Sequence, residues 1–323
     1  MKKIGVFTSG GDAPGMNACI RAVVRSAIYH GLEIYGIKHG YNGMINGEII
    51  KLDSSSVSNT IQKGGTILKS ARSQDFMTPE GRKKAYEQLT KHGIDGVVAI
   101  GGNGTFTGAN IFYEEYGIPF IGAPGTIDND LYGTDYTIGY DTAVNTALDA
   151  IDKIRDTADS HERVFFIEVM GRDSGYIAMP CAIGGGAEIV MIPETTTTIA
   201  TVVDTLQNGW KRFKTSFIII VAEGDEEGHA TEIAAKVATA LPQMDGKVTI
   251  IGHVQRGGSP TAADRLLASE IGIACVEGLI NGKKNVMAGI INAKLHYTPF
   301  LDTITKKKLI NPRFTRMVEI LSV

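Results

Sequence analysis

Four short segments of this chain combine glycine with groups that bind or move phosphate. Ser9-Gly10-Gly11-Asp12 and Gly101-Gly102-Asn103-Gly104-Thr105 each put a diglycine, then a carboxylate or amide, at the carboxyl end of an apolar run. Glycine lets backbone N–H groups gather around an anion, so two matching turns suit a di- or triphosphate, whereas one alone is only a tight turn. Pro124-Gly125-Thr126-Ile127-Asp128-Asn129-Asp130 crowds two carboxylates, a hydroxyl and an amide into one loop. A carboxylate there can take the proton of an attacking hydroxyl while its neighbour fixes a metal or a network. An Asx-turn, bonding only its own backbone, is the competing reading, and spacing leaves the two nearly level. Met170-Gly171-Arg172-Asp173-Ser174-Gly175 and Gly252-His253-Val254-Gln255-Arg256-Gly257-Gly258-Ser259-Pro260 set arginine, and in the second case histidine, beside glycine. A lone Arg is a solvated charge, but two such motifs beside two glycine turns favour a phosphorylated second substrate, since the guanidinium forks onto phosphate.

Common nucleotide fingerprints are missing: no GxxxxGK[ST] occurs, and Gly102, Gly104 and Gly108 are misplaced for GxGxxG. A P-loop protein and a dinucleotide dehydrogenase are therefore disfavoured.

Positioning these segments requires strands that end at them. Ile4 to Thr8, Leu32 to Ile37, Gly96 to Ile100, Pro119 to Gly122, Val164 to Val169, Ile189 to Ile192, Ser216 to Val221, Val248 to Gly252 and Val286 to Asn292 read as strands. Several are apolar throughout, as strands buried on both faces are. Between them Pro14 to Tyr29, Pro79 to Lys91, Thr105 to Tyr116, Ala143 to Ser160, Ile199 to Phe213, Thr231 to Leu241 and Ala262 to Ile280 read as helices. Strand and helix alternate, so the fold class is α/β, with mainly parallel sheets flanked by helices in two Rossmann-like lobes. The helix from Ala143 is the expected bridge between lobes.

Composition narrows the field. At 323 residues the chain exceeds one ordinary domain, and 43% hydrophobic residues supply a core. Its 39 glycines against 10 prolines are a glycine surplus without linker character, which excludes collagen, disorder and coiled coil. A net charge of -3 offers no general attraction to nucleic acid or anionic membranes. Apolar runs are too short to span a bilayer or form a signal-peptide core, which makes a cytoplasmic location the expectation. Cys19, Cys181 and Cys275 are widely spaced with no CxxC and read as buried thiols.

Taken together the segments resemble those of the bacterial ATP-dependent 6-phosphofructokinases, almost from end to end. The carriers are Thr8-Ser9-Gly10-Gly11-Asp12-Ala13-Pro14-Gly15-Met16-Asn17, Ser70-Ala71-Arg72, the 124–130 loop, Met170-Gly171-Arg172 and the 252–260 segment. The resemblance implies the phosphofructokinase fold, an ATP-binding lobe of 1–139 plus 253–304 and a fructose-6-phosphate lobe of 140–252 plus 305–323. It implies Mg²⁺-dependent transfer of the ATP γ-phosphoryl to the 1-hydroxyl of fructose 6-phosphate. Asp128 is then the base, with Thr126 beside it. Gly11, Arg72, Ser73, Gly102, Asn103, Gly104 and Thr105 hold ATP, and Arg72 and Arg172 lie near the reaction. Met170, Gly171, Arg172, Glu223, His253 and Arg256 hold the sugar phosphate. Arg163, and Lys247 where the family usually has Arg, reach into a neighbouring subunit's site, which implies a homotetramer.

Departures from the family pattern carry information too. The family has Asp where Asn103 stands, and that Asp is its Mg²⁺ residue; the metal set here is Asn103 and Asp130. Asn keeps an acceptor oxygen but removes a charge, so a raised Mg²⁺ requirement or reduced turnover is expected. Gly104 and Gly125 stand where pyrophosphate-using relatives carry bulkier or basic residues, which favours ATP. Arg21, Arg25, Arg155, Gly186, Glu188, Arg212 and Lys214 match positions where relatives bind ADP or phosphoenolpyruvate. Ser54 and Asn59 replace an Arg and an Asp there, so a weak effector response is expected. Two other readings stand beside the kinase: a catalytically weakened phosphate-ligand sensor, and a related GGDG-type kinase of the diacylglycerol- or NAD-kinase kind.

Overall fold

A computed structural model describes residues 1–321. In chain order the elements are β1 (Lys3–Thr8), α1 (Met16–Tyr29), β2 (Glu33–Ile37), α2 (Gly40–Asn46), β3 (Ile49–Leu52), α3 (Pro79–His92), β4 (Gly96–Gly101), α4 (Asn103–Tyr116) and β5 (Phe120–Pro124). There follow α5 (Tyr140–His161), β6 (Val164–Val169), α6 (Ala178–Gly185), β7 (Ile189–Met191), α7 (Ile199–Lys211), β8 (Phe217–Ala222), α8 (Ala230–Ala240) and β9 (Gly246–Ile250). The chain closes with α9 (Ala262–Ile280), β10 (Val286–Ile291), β11 (Lys294–Pro299), α10 (Phe300–Thr305) and α11 (Pro312–Leu321).

Two compact units share the chain. The first comprises Met1–Ile127, Leu131–Thr142 and Arg256–Lys308; the second comprises Asp128–Asp130, Ala143–Gln255 and the segment from Leu309. The chain passes from one to the other within α5, after Thr142. Asp128 to Asp130 and His253 to Gln255, expected in the first lobe, group with the second unit.

The first unit is built on a sheet of order β11-β10-β5-β4-β1-β2-β3. β1, β2, β4, β5 and β10 pair in parallel; the edge strands β3 and β11 run antiparallel to their neighbours. Central β4, GVVAIG, is buried at every residue because helices cover both faces. Phe7, Phe106, Phe112, Phe120 and Phe300 fill the space beside it with fully buried rings. Burying a ring of that size contributes about 1.5–3 kcal/mol.

The second unit has a parallel sheet of order β7-β8-β6-β9. Strands β6 (VFFIEV) and β8 (FIIIVA) are buried throughout, as their unbroken apolar runs require. β9 begins and ends two residues before the expected Val248 to Gly252, and as an edge strand it leaves Val248 and Ile250 exposed. The short elements α2, β3, α6, β11 and α10 lack the length or the period that marks an element in sequence.

Candidate active site

The first unit carries both glycine turns. β1 and β4 are neighbours in register Thr8 to Ile100, and the Ser9 N–H donates to the Ile100 carbonyl at 3.0 Å. Both turns thus leave the sheet side by side where the strand order reverses, the place at which open α/β sheets take ligands. Gly102 caps α4 with no side chain of its own, and the Thr105 and Phe106 N–H groups turn back to its carbonyl at 3.0 and 3.1 Å. Asn103 opens α4, and its Oδ1 is buried without a hydrogen-bond partner.

An oxygen acceptor left in this state fits a hard cation, which takes oxygen ligands. No cluster of three or more His, Cys, Asp or Glu suited to a metal occurs among the described residues. A divalent ion held here would rest on few protein oxygens together with phosphate and water, the usual habit of Mg²⁺.

Under the turn lies an aromatic floor that sequence reading missed. Tyr41 donates its hydroxyl to the Thr105 carbonyl at 2.6 Å and stacks on Phe76 with ring centroids 3.8 Å apart. Burial pushes the Tyr41 phenol well above its ordinary pKa, so it stays a neutral donor. Ser73 Oγ accepts from the Phe76 N–H at 3.2 Å, and the exposed Arg72 gives its carbonyl to Asn42 Nδ2 at 3.2 Å. Arg256, expected on the sugar phosphate, belongs to this unit: Nη1 donates to the Asp12 carbonyl at 3.3 Å. A Cβ on Gly11 would stand 2.6 Å from that nitrogen, so glycine is needed for the guanidinium to lie there.

Gly104 and Gly125 are not equivalent. A Cβ on Gly104 would meet nothing within 4 Å, so that position is open. One on Gly125 would stand 2.9 Å from Ile100 Cγ2 and 3.1 Å from Met16 Cε, so packing under the loop already demands glycine there. Thr126 lies beside it with its carbonyl accepting from Thr137 Oγ1 at 2.6 Å.

The second unit gathers a different set at the carboxyl ends of β6, β8 and β9. Met170 N–H donates to Gln255 Oε1 at 2.9 Å and Arg172 N–H to Glu223 Oε1 at 2.7 Å. Between them Gly171 has φ 147 and Arg172 has φ 55, a left-handed conformation that costs a non-glycine residue about 1–3 kcal/mol. Ser174 Oγ donates to the Gly171 carbonyl at 2.9 Å and to the Asp128 carbonyl at 3.3 Å, and Glu194 takes the Gly175 N–H on both oxygens at 2.9 and 3.0 Å. Asp128 is buried, 7% exposed, and Asp130 half-buried. Asp128, Met170, Gly171, Arg172 and Glu223 are therefore one cluster, with His253 exposed in the turn that carries Gln255. Part of Glu223's acceptor capacity goes to the Arg172 backbone.

Arg163 and Lys247 lie elsewhere in the same unit. Arg163 Nε and Lys247 Nζ share Asp245, at 2.8 and 2.6 Å, and Lys247 followed by Arg163 hold that carboxyl below the usual range. Both stand at the amino ends of β6 and β9, roughly 20 Å along the strands from Met170 at about 3.3 Å per residue.

Residues expected to bind an effector divide between the units. Arg21 and Arg25 of α1 line a hollow of about 400 Å³ with Ser26, Tyr29, Ser269 and Glu277. In the second unit Arg155 donates from Nε to the Gly185 carbonyl at 2.9 Å and from Nη2 to the Gly186 carbonyl at 2.5 Å. Glu188 is buried, takes the Ile218 N–H at 2.6 Å and pairs with Lys214 Nζ at 2.5 Å. Arg212 caps the end of α7. Arg155 and Glu188 thus already serve the fold. Cys19, Cys181 and Cys275 are buried, and desolvation pushes the Cys19 and Cys181 thiols up to about 12, which leaves no nucleophilic thiolate near neutrality.

Two further residues escaped sequence reading. Gln255 lies inside a quoted motif but has no periodic signal. Asp264 takes the Gly139 and Thr142 N–H groups at 2.8 Å each and the Thr142 hydroxyl at 2.5 Å, which fastens the start of α5 to α9. Thr261, Ala262, Ala263, Asp264 form an N-cap pattern, with Thr261 Oγ1 accepting from the Asp264 N–H at 3.3 Å, and this could have flagged it.

Comparison with known proteins identifies the family and the fold. The phosphofructokinase family model matches residues 3–279. An ATP-dependent 6-phosphofructokinase of Cytophaga hutchinsonii is 67% identical over 99% of this chain and 97% of its own. ATP-dependent 6-phosphofructokinase 1 of Thermus thermophilus is 55% identical over the whole of both chains. Phosphofructokinase from Saccharomyces cerevisiae superposes with a TM-score of 0.89 at 33% identity, over all of this chain and 47% of that longer one. A pyrophosphate-dependent phosphofructokinase from Marinobacter aquaeolei, at 23% identity and a TM-score of 0.83 over 97% of this chain and 86% of its own, shares the fold. With glycine turns at a sheet's switch point, a strained Met-Gly-Arg loop held by Gln255 and Glu223 and relatives matching along the full length, this chain belongs to the phosphofructokinase family.

Proposed function

We propose that the chain is an ATP-dependent 6-phosphofructokinase, transferring the ATP γ-phosphoryl to the 1-hydroxyl of fructose 6-phosphate in glycolysis. The observation that carries this reading is the 67% identity, along almost the full length of both chains, to a relative of that name. Neither the sensor nor the GGDG-type kinase accounts for both that identity and the clustered Met170, Gly171, Arg172 and Glu223.

In this reading Gly11 and the stretch Gly102 to Thr105, with Arg72 and Ser73, hold ATP. The open space at Gly104 supports a nucleotide as donor. Met170, Gly171, Arg172, Glu223, His253 and Arg256 hold the sugar phosphate. The Asp128 carboxylate takes the proton of the 1-hydroxyl as its oxygen bonds to phosphorus and the bond from phosphorus to the ADP oxygen breaks. Thr126 orients that oxygen, while Arg72 and Arg172 offset charge on the moving phosphoryl group. Such a reaction is mostly positioning and charge neutralisation, which suits a site made of backbone N–H groups, guanidinium groups and one base. Mg²⁺, when bound through Asn103 and Asp130, supplies positive charge to the phosphate oxygens.

Arg163 and Lys247, held together on Asp245 away from the Met170 loop, serve the site of a neighbouring subunit in a homotetramer. Arg21, Arg25, Arg155, Gly186, Glu188, Arg212 and Lys214 form a weak site for ADP or phosphoenolpyruvate. The protein works in the cytoplasm; no helix of the described residues is long and apolar enough to cross a membrane.

A coupled assay on fructose 6-phosphate, with ATP or pyrophosphate over a magnesium series, tests the reading. Fructose 1,6-bisphosphate formed from ATP and not from pyrophosphate is the expected result. ATP and sugar phosphate bound in calorimetry with no product at high Mg²⁺ would favour the sensor instead.

A further inference from the structure

Gln255 is fully buried in the short turn Gly252–Arg256, and neither its motif nor the proposed chemistry gives it a task. Its Oε1 accepts the Met170 N–H at 2.9 Å; because a donor faces it, the oxygen must be the atom on that side. Its Nε2 is buried and has no hydrogen-bond partner. A side chain chosen for stability alone would not keep such an amide, since an unpaired buried donor opposes folding about as much as one hydrogen bond favours it. The Met170 N–H opens the loop in which Arg172 is held at φ 55, and Glu223 takes the Arg172 N–H at the other end. Two acceptors, one neutral and one acidic, therefore clamp a strained loop from both sides.

We propose that Gln255 is a positioning residue for the acceptor substrate: by holding the Met170 N–H it keeps the Met170-Gly171-Arg172 loop in the shape that receives the sugar phosphate. An amide suits this post better than a carboxylate, because it offers the same oxygen without a buried negative charge beside a phosphate. The inference rests on the proposed function, in which that loop holds fructose 6-phosphate.

The test compares Gln255→Met, close in size but lacking the oxygen, and Gln255→Asn, which keeps an amide too short to reach Met170. Each is expected to raise KM for fructose 6-phosphate by about tenfold or more and to leave KM for ATP within about twofold. The melting temperature of Gln255→Met, which exchanges one unpaired buried donor for another, should stay near that of the unaltered protein, and in hydrogen exchange the Met170 amide should lose protection while the β6 amides keep theirs. If the unaltered protein does not turn over fructose 6-phosphate, the functional reading falls and this inference with it. If it does, and both variants keep its KM, the inference alone is wrong. A variant that loses affinity for both substrates along with its melting temperature would show a packing role and overturn it equally.

Discussion

Asn103 holds a buried carbonyl oxygen with no partner at the start of α4, where the resemblance to the family implies a carboxylate. A hard cation gains more from a full charge than from an amide dipole, so Asn103→Asp should lower the Mg²⁺ concentration for half-maximal rate by several-fold or raise the maximal rate. A magnesium titration that superposes on that of the unaltered protein would refute this. The glycines nearby make a second pair of expectations. Gly104→Ala enters open space and should leave the melting temperature unchanged, whereas Gly125→Ala drives a methyl against Ile100 and Met16 and should cost about 1–3 kcal/mol in denaturant unfolding. Equal effects at the two positions would contradict the packing described here.

Elements position these residues, and their braces can be tested separately. Arg82 of α3 reaches Glu115 of α4 with Nε at 2.7 Å and Nη2 at 2.6 Å, and Nη1 spans the Phe76 and Met77 carbonyls at 3.1 and 2.8 Å. This pair steadies α4 behind the Gly101 to Thr105 turn. Hydrogen bonding to Arg82 holds the Glu115 carboxyl below its ordinary pKa, so the brace is complete above the unfolded value of about 4.3 and is lost as pH falls through the folded value. Glu115→Gln should therefore cost about 1–2 kcal/mol near neutrality, a penalty that shrinks below about pH 4. A penalty independent of pH would mean that charge is not what holds the helices. Asp264 shows the opposite sign: burial raises its carboxyl pKa, so its contribution is greatest at low pH and is lost as pH rises through the folded value.

At the scale of the molecule, regulation is the open variable. Arg155 spends its guanidinium on the Gly185 and Gly186 carbonyls, Glu188 is committed to Ile218 and Lys214, and Ser54 and Asn59 offer no guanidinium or carboxylate. Velocity curves against fructose 6-phosphate should shift little, less than about threefold in half-saturation, with millimolar ADP or phosphoenolpyruvate. A large shift with either would show that these groups can be released for a ligand.

Much of this was legible in the residues themselves. Unbroken apolar runs such as Val164 to Val169 announced buried parallel strands, and the span from Pro79 to Lys91 announced α3, because propensity and period are local properties. Edge strands β3 and β11 and short α2 and α6 were not legible, since too few residues repeat to show a period. What Gln255 and Asp264 hold, and which of Gly104 and Gly125 has room for a side chain, were decided only by tertiary structure. Each depends on what lies across space from the residue, and a hydrogen bond between positions 85 or 122 residues apart leaves no trace in spacing along the chain.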